Sequence, residues 1–274
     1  MTDRPMTPTV DPAIGSDVRQ WRGLVRTGAW AALASVAFIA VQIAIYLLWP
    51  PPDTAEEFFR ELNDNPVVGL LMLDALYPLS NVLTLLFYGA LAVPLWRVSR
   101  SAVTIALALG GVGMASFMAS VRPVEMLQLA GAYAEAGPAE RVALAATGEG
   151  MLATWTGSAF DVYYLLNCAA LLIFGLLILR SASRQRAPVS SNPVSSQPVS
   201  GNPVSGDPVF RNAASSGPVF SRATAVWGLA AAVLMGVPSN VGTVGLAFAL
   251  ASLVPWAVFA VLGARRLLAL CRGL

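Results

Sequence analysis

The sequence predicts an all-α fold, an integral membrane bundle of about six transmembrane helices with both termini on the cytoplasmic side. Three observations carry that prediction: a charge-poor composition, six apolar runs of roughly bilayer length, and arginines that alternate with those runs. Of 274 residues, 56% are hydrophobic and only 12% charged, where soluble domains carry roughly 25% charged residues. A bilayer core of about 30 Å needs roughly 20 apolar residues per helix. Runs of this kind lie at about 27–49, 67–96, 102–121, 151–179, 223–237 and 243–262, the fifth being short. Segments on the N-terminal side of the membrane, 1–26, 97–101, 180–222 and 263–274, hold 14 of the 17 arginines. Cytoplasmic loops retain positive charge, so the split predicts an N-in, C-in topology in a cytoplasmic membrane. A misplaced span would scramble it.

Residues 1–26 form a polar cytoplasmic tail. Within it SDVRQWRGLVR offers Ser16 as an N-cap, with Val18, Trp21 and Val25 on one face and Arg19, Arg22 and Arg26 around them. That pattern fits a short interfacial helix on anionic lipid, or simply the positive flank of the first span. The first span is too long for a signal-peptide core and is followed by no small-residue cleavage site, so it reads as an uncleaved anchor. Spans one to four occupy 27–180.

The second span, LLMLDALYPLSNVLTLLFYG, tolerates one carboxylate. On this helix Asp74, Tyr77, Asn81, Thr84 and Tyr88 fall at offsets 0, 3, 7, 10 and 14, a stripe of about 80° at roughly 100° per residue. Such a stripe belongs against other helices, because polar groups exposed to hydrocarbon are costly. The fourth span carries a comparable line, Thr154, Ser158, Asp161, Tyr164, Cys168 and Gly175, with Asn167 also near mid-membrane. On the third span Gly111, Ala115 and Ala119, and on the fifth Gly228, Ala232 and Gly236, show the small-residue spacing of close helix contacts.

At about 1.5 Å per residue, Asp74 lies roughly 17 Å and Asp161 roughly 13 Å from the midplane. Arg122, ending the third span, falls near the same depth. The sequence therefore predicts a polar cluster of Asp74, Asp161 and Arg122 at the outer edge. An intramembrane seam of Tyr77, Asn81, Thr84, Tyr88, Tyr164 and Asn167 would lie beneath it. Outside, residues about 122–150 read as two amphipathic helical pieces broken at Gly137-Pro138, capping the bundle or lying on the outer leaflet.

Residues 181–221 read as a disordered cytoplasmic linker. Pro188, Pro193, Pro198, Pro203 and Pro208 recur every fifth residue among Val, Ser, Asn and Gly, a pattern that denies hydrogen-bond ladders and buries nothing. Residues 222–274 hold the last two spans and a short tail.

The chemistry on offer is sparse. All 17 basic residues are arginine, with no lysine and no histidine, so a Ser-His-Asp triad, a His-ligated metal and an imidazole proton shuttle are excluded. Cys168 and Cys271 form no CxxC, and a net charge of +2 argues against a nucleic-acid partner. No catalytic residue, metal site or cofactor is expected. The implied partner is the lipid bilayer, with a homo-oligomer or a membrane-protein partner left open. These features favour a non-catalytic accessory, sensing or assembly protein. The alternatives are a small secondary transporter with a polar site between spans two, three and four, and a membrane enzyme using Asp74 and Asp161 as an outer-face carboxylate pair.

The runs ELNDNPVVGLLMLDALYPLSNVLTLLFYGALAVPLWRVSRS, AERVALAATGEGMLATWTGSAFDVYYLLNCAALLIFGLLILRS and FSRATAVWGLAAAVL together resemble the bacterial membrane family called domain of unknown function 4386. The resemblance covers roughly residues 20–180 and 219–266. It implies a multi-pass helical membrane protein and brings no established activity or site residues.

Overall fold

Helix ends follow local chemistry throughout the residues that the computed structural model describes, 11–184, 218–237 and 242–273. The regular elements among them are all α-helices: α1 (Pro12–Gln20), α2 (Arg22–Leu48), α3 (Ala55–Asp64), α4 (Pro66–Met72), α5 (Tyr77–Leu95), α6 (Arg100–Ser120), α7 (Pro123–Glu135), α8 (Pro138–Trp155), α9 (Ser158–Arg184), α10 (Arg222–Met235) and α11 (Gly242–Arg272). Thr54, Asn65, Ser99 and Ser221 each accept a first-turn N–H on the side chain, satisfying an amide that the helix itself cannot. Asp11 does the same for α1, taking Ala13 N–H at 2.8 Å. Ser16, the expected cap, instead lies inside α1 and bonds back to the Ala13 carbonyl. Of the face expected beside it, Val18 and Val25 are buried, whereas Trp21 is exposed.

Among the described residues, five helical stretches are long and apolar enough to cross a membrane: Arg22–Leu48, Tyr77–Leu95, Arg100–Glu135, Pro138–Ser183 and Ala247–Arg272. The 14-residue α10 is apolar but shorter, about 21 Å at 1.5 Å per residue. These helices and α10 close into a ring in the order α2, α5, α6, α9, α10, α11 and back to α2. Outward faces present Ile105, Val112, Leu165, Val233 and Val254, apolar surface suited to lipid.

Backbones approach closely where a side chain is missing. A Cβ on Gly28 of α2 would stand 2.4 Å from the Ala90 Cβ of α5. On α6 the contact face is Gly110, Gly113, Met114 and Phe117, all buried. The expected stripe, Gly111, Ala115 and Ala119, points away, and a Cβ at Gly111 would meet nothing within 4 Å. On α10 the expected positions do pack. Gly228 faces Phe259, and the Cys168 thiol reaches the Ala232 carbonyl at 3.1 Å.

The predicted second span is not one helix. Pro78 has no N–H, so it cannot bond the carbonyl of residue 74 four positions back. That carbonyl takes Tyr77 N–H at 2.8 Å instead, and the chain kinks through residues 73–76 between α4 and α5. Asp74 thereby adopts φ 57°, a left-handed conformation that Asp and Asn tolerate better than most residues. The predicted fourth span, about 151–179, is likewise broken, at Thr156-Gly157 between α8 and α9.

Helices α3, α4, α7 and α8 form a cap over one end of the ring, with a core of its own. Phe58, Phe59 and Leu62 from α3 meet Met72, Leu73, Met126 and Ala130. Glu149 of α8 accepts the Ala55 N–H at 2.7 Å, so α8 caps the start of α3. Arg141 donates to the Tyr133 and Ala134 carbonyls at the end of α7. Opposite the cap, α1 is held to the end of α5 by the Asp17–Arg97 pair, with contacts of 2.5 and 2.9 Å. At the same end Arg266 donates to the Val219 carbonyl and, at 3.1 Å, to that of Pro218, while Phe220 is fully buried. The proline pentad at 188–210 lies outside the described residues.

Candidate functional site

The kink before α5 delivers Asp74 to the junction of cap and ring. Its carboxylate is 5% exposed. One oxygen accepts the Tyr46 hydroxyl of α2, and the other accepts the indole Nε1–H of Trp155, the last residue of α8, at 3.0 Å. One helical turn before Tyr46, Gln42 donates its amide to the Leu71 carbonyl at 3.3 Å. Two α2 side chains thus hold the α4 end of the kink, and Trp155 closes it from the cap.

Beside Asp74 opens a cleft of about 500 Å³. Its walls come from α2, α5, α8, α9 and α11: Tyr46, Tyr77, Trp155, Phe160 and Tyr164 supply aromatic faces, and Ile39, Leu250 and Leu253 the aliphatic ones. A smaller cavity of about 50 Å³ adjoins it, sharing Ile39, Tyr77, Tyr164 and Leu253 as walls and reaching Thr84, Tyr88 and Asn167. Past Tyr88 the interior fills with rings: Phe87 lies 6.4 Å and Phe174 5.2 Å from Tyr88 by centroid, and Phe259 lies 5.6 Å from Phe87.

The expected polar cluster takes a different form. Arg122 is exposed at the start of α7 and makes no ion pair with Asp74 among the described residues. Two neutral donors stand where an arginine was expected beside Asp74. Asp161 is half-buried in the first turn of α9, where negative charge suits the helix dipole. Phe160, its neighbour, lines the cleft.

The seam residues come together more closely. Tyr77, Thr84, Tyr88, Tyr164 and Asn167 all line the smaller cavity. Asn81 is buried with its amide nitrogen lacking a partner among the described residues. The alternative site between spans two, three and four is shifted: α6 contributes no wall to either cavity, whereas α2 and α11 do. Sequence reasoning missed Tyr46, Gln42 and Trp155. Gln42 and Tyr46 are one turn apart in an otherwise apolar helix, a signal that was available. Trp155 near the cap carried none.

No family model matches the chain, and no match to it is found among the curated proteins or the solved structures. The described residues form an all-helical fold, with five helical stretches long and apolar enough to cross a membrane and a capped, aromatic-lined cleft.

Proposed function

We propose that the protein is a non-catalytic membrane binding protein that retains a small, largely apolar ligand in the cleft between α2, α9 and α11. The observation that carries this reading is the roughly 500 Å³ cleft with one buried carboxylate at its edge. Small-molecule sites are typically concave, mostly apolar and about 300–1,000 Å³, with a few placed polar groups. A sensing role accords with a ligand site joined to a cap by the hydrogen bonds of Trp155 to Asp74 and of Gln42 to the Leu71 carbonyl. The smaller cavity leads inward and favours a transporter as the second reading, but the ring stack of Phe87, Tyr88, Phe174 and Phe259 supports binding over passage. In the same reading α10 is a sixth span and the topology is N-in, C-in, with the cap outside a bacterial cytoplasmic membrane. The resemblance to the family named above supports the multi-pass arrangement.

Filling the cleft tests the function. Leu253→Trp is expected to leave the unfolding temperature within a few degrees and to abolish binding of an apolar probe such as phenethyl alcohol. Unaltered binding by that variant would place the ligand elsewhere. Cysteine labelling at Gly137 and Leu274 from either side of the membrane tests the topology, and modification of both from one side refutes it.

A further inference from the structure

We infer that the cleft selects an organic cation, a small ammonium on an apolar body, an inference that rests on the cleft being a binding site. The argument begins with what the walls lack. The chain has no lysine or histidine, and no arginine lines either cavity. Asp74 is the one charged residue among the lining residues. Its described partners, Tyr46 and Trp155, are neutral donors. They satisfy hydrogen bonds without cancelling the charge, whereas buried charges are ordinarily paired.

Two further groups point the same way. Gln42 lines the cleft and Asn167 the smaller cavity; both residues are buried, and Gln42 Oε1 and Asn167 Oδ1 are themselves buried without a hydrogen-bond partner among the described residues. The assignment of oxygen and nitrogen is fixed by their neighbours: each amide nitrogen faces a backbone carbonyl, Leu71 for Gln42 and Tyr163 for Asn167 at 3.0 Å, and carbonyls only accept. The connected cavities therefore present one negative charge that no described cation compensates, with two unpartnered acceptors on buried residues of their walls. An anionic or acceptor-rich ligand would leave that charge uncompensated. An ammonium brings a positive charge and up to three N–H donors.

The walls suit the rest of such a molecule. Tyr46, Tyr77, Trp155, Phe160 and Tyr164 surround the cleft, and ring faces attract a cation within about 6 Å of their centroids. Gln42 and Asp74 share one corner, because Gln42 holds Leu71 and Tyr46, one turn on, holds Asp74. The ammonium would sit there with its body along Ile39, Leu250 and Leu253. A free lipophilic amine and the headgroup of an aminophospholipid offer the same chemistry.

The test compares phenethylamine with its uncharged isostere phenethyl alcohol, by calorimetry on the full chain in phosphatidylcholine nanodiscs. The amine is expected to bind at least about 10-fold more tightly, the order of one hydrogen bond to a charged group. That preference should disappear in Asp74→Asn, which keeps the shape and tolerates the left-handed backbone. The amine-to-alcohol ratio of the unaltered protein decides the matter even where the variant misfolds. Including phosphatidylethanolamine in the nanodisc separates the two sources: suppressed amine binding assigns the site to a lipid headgroup, and unchanged binding to a free amine. Equal binding of amine and alcohol overturns the cation inference and leaves the binding function standing. Failure of both probes to bind overturns both.

Discussion

The indole N–H of Trp155 bonds the Asp74 carboxylate at 3.0 Å, tying the last residue of α8 to the kink between α4 and α5. The contact joins the cap to the ring and places a cap residue in the wall of the cleft. Trp155→Phe keeps the ring and removes the donor. It is expected to cost about 1.5–3 kcal/mol, the range for hydrogen bonds to charged groups, measured by unfolding in detergent. Tyr46→Phe should cost a similar amount. Both donors serve one carboxylate, so the double variant should depart from the sum of the single changes. Strict additivity would show that Asp74 does not couple them.

Two neighbouring glycines on α6 should respond oppositely to alanine. At Gly113 the new methyl would lie 2.9 Å from the Asn167 amide nitrogen and 3.0 Å from the Leu166 Cβ, so Gly113→Ala should push α6 from α9 and lower the melting temperature. At Gly111 nothing lies within 4 Å. Gly111→Ala should therefore be neutral or stabilise by about 0.5–1 kcal/mol, the ordinary helix-interior gain. Thermal unfolding of the pair distinguishes this packing face from the one the small-residue spacing suggests.

The cap has its own core and should loosen on its own. Phe59 is fully buried, and a Cβ on Gly148 of α8 would stand 2.7 Å from its ring. Phe59→Ala is expected to cost about 3–5 kcal/mol, felt mainly in α3, α7 and α8. Hydrogen exchange should accelerate in those helices and remain slow in α5, α6 and α9. Uniform acceleration would mean that cap and ring unfold as one unit.

At the end opposite the cap, the Arg97 guanidinium hydrogen-bonds Asp17 and holds its carboxyl below the ordinary value, while slight burial opposes the shift. A carboxylate with a depressed folded pKa stabilises the fold above its unfolded pKa of about 3.9. That contribution fades as pH falls through the folded value. Between pH 5 and 8 the pair should add no pH dependence, by the same reasoning. An NMR titration of the Asp17 carboxyl carbon should show a lowered midpoint that rises in Arg97→Gln.

Sequence patterning located the ring helices because an apolar run of about 20 residues has one dominant physical solution in lipid. It also found Tyr77, Thr84, Tyr88, Tyr164 and Asn167 as neighbours, because each pair shares a helix face. What it misjudged was the kink. Pro78 announces the break four residues after Asp74, but the apolar run through Leu73 and Leu76 hid it, and the depth reckoned for Asp74 assumed an unbroken helix. Helix α3 was overlooked within a polar loop, although Ala55, Phe58, Phe59 and Leu62 keep helical spacing there. The cleft itself arises where α2 and α11, packed on each other, face α9 across the ring, and no local pattern encodes such distant meetings.

The cap's two halves have separate chain origins: α3 and α4 connect α2 to α5, and α7 and α8 connect α6 to α9. Phe58, Phe59 and Leu62 come from the first connection, Met126 and Ala130 from the second. Among the described residues each half thus covers the other, and neither can be lost without exposing the apolar face of its mate. Over evolutionary time the two loops should lengthen, shorten or vanish together, although more than fifty residues of sequence lie between α3 and α7. Relatives that lack one should lack both, and with them the tryptophan that reaches Asp74.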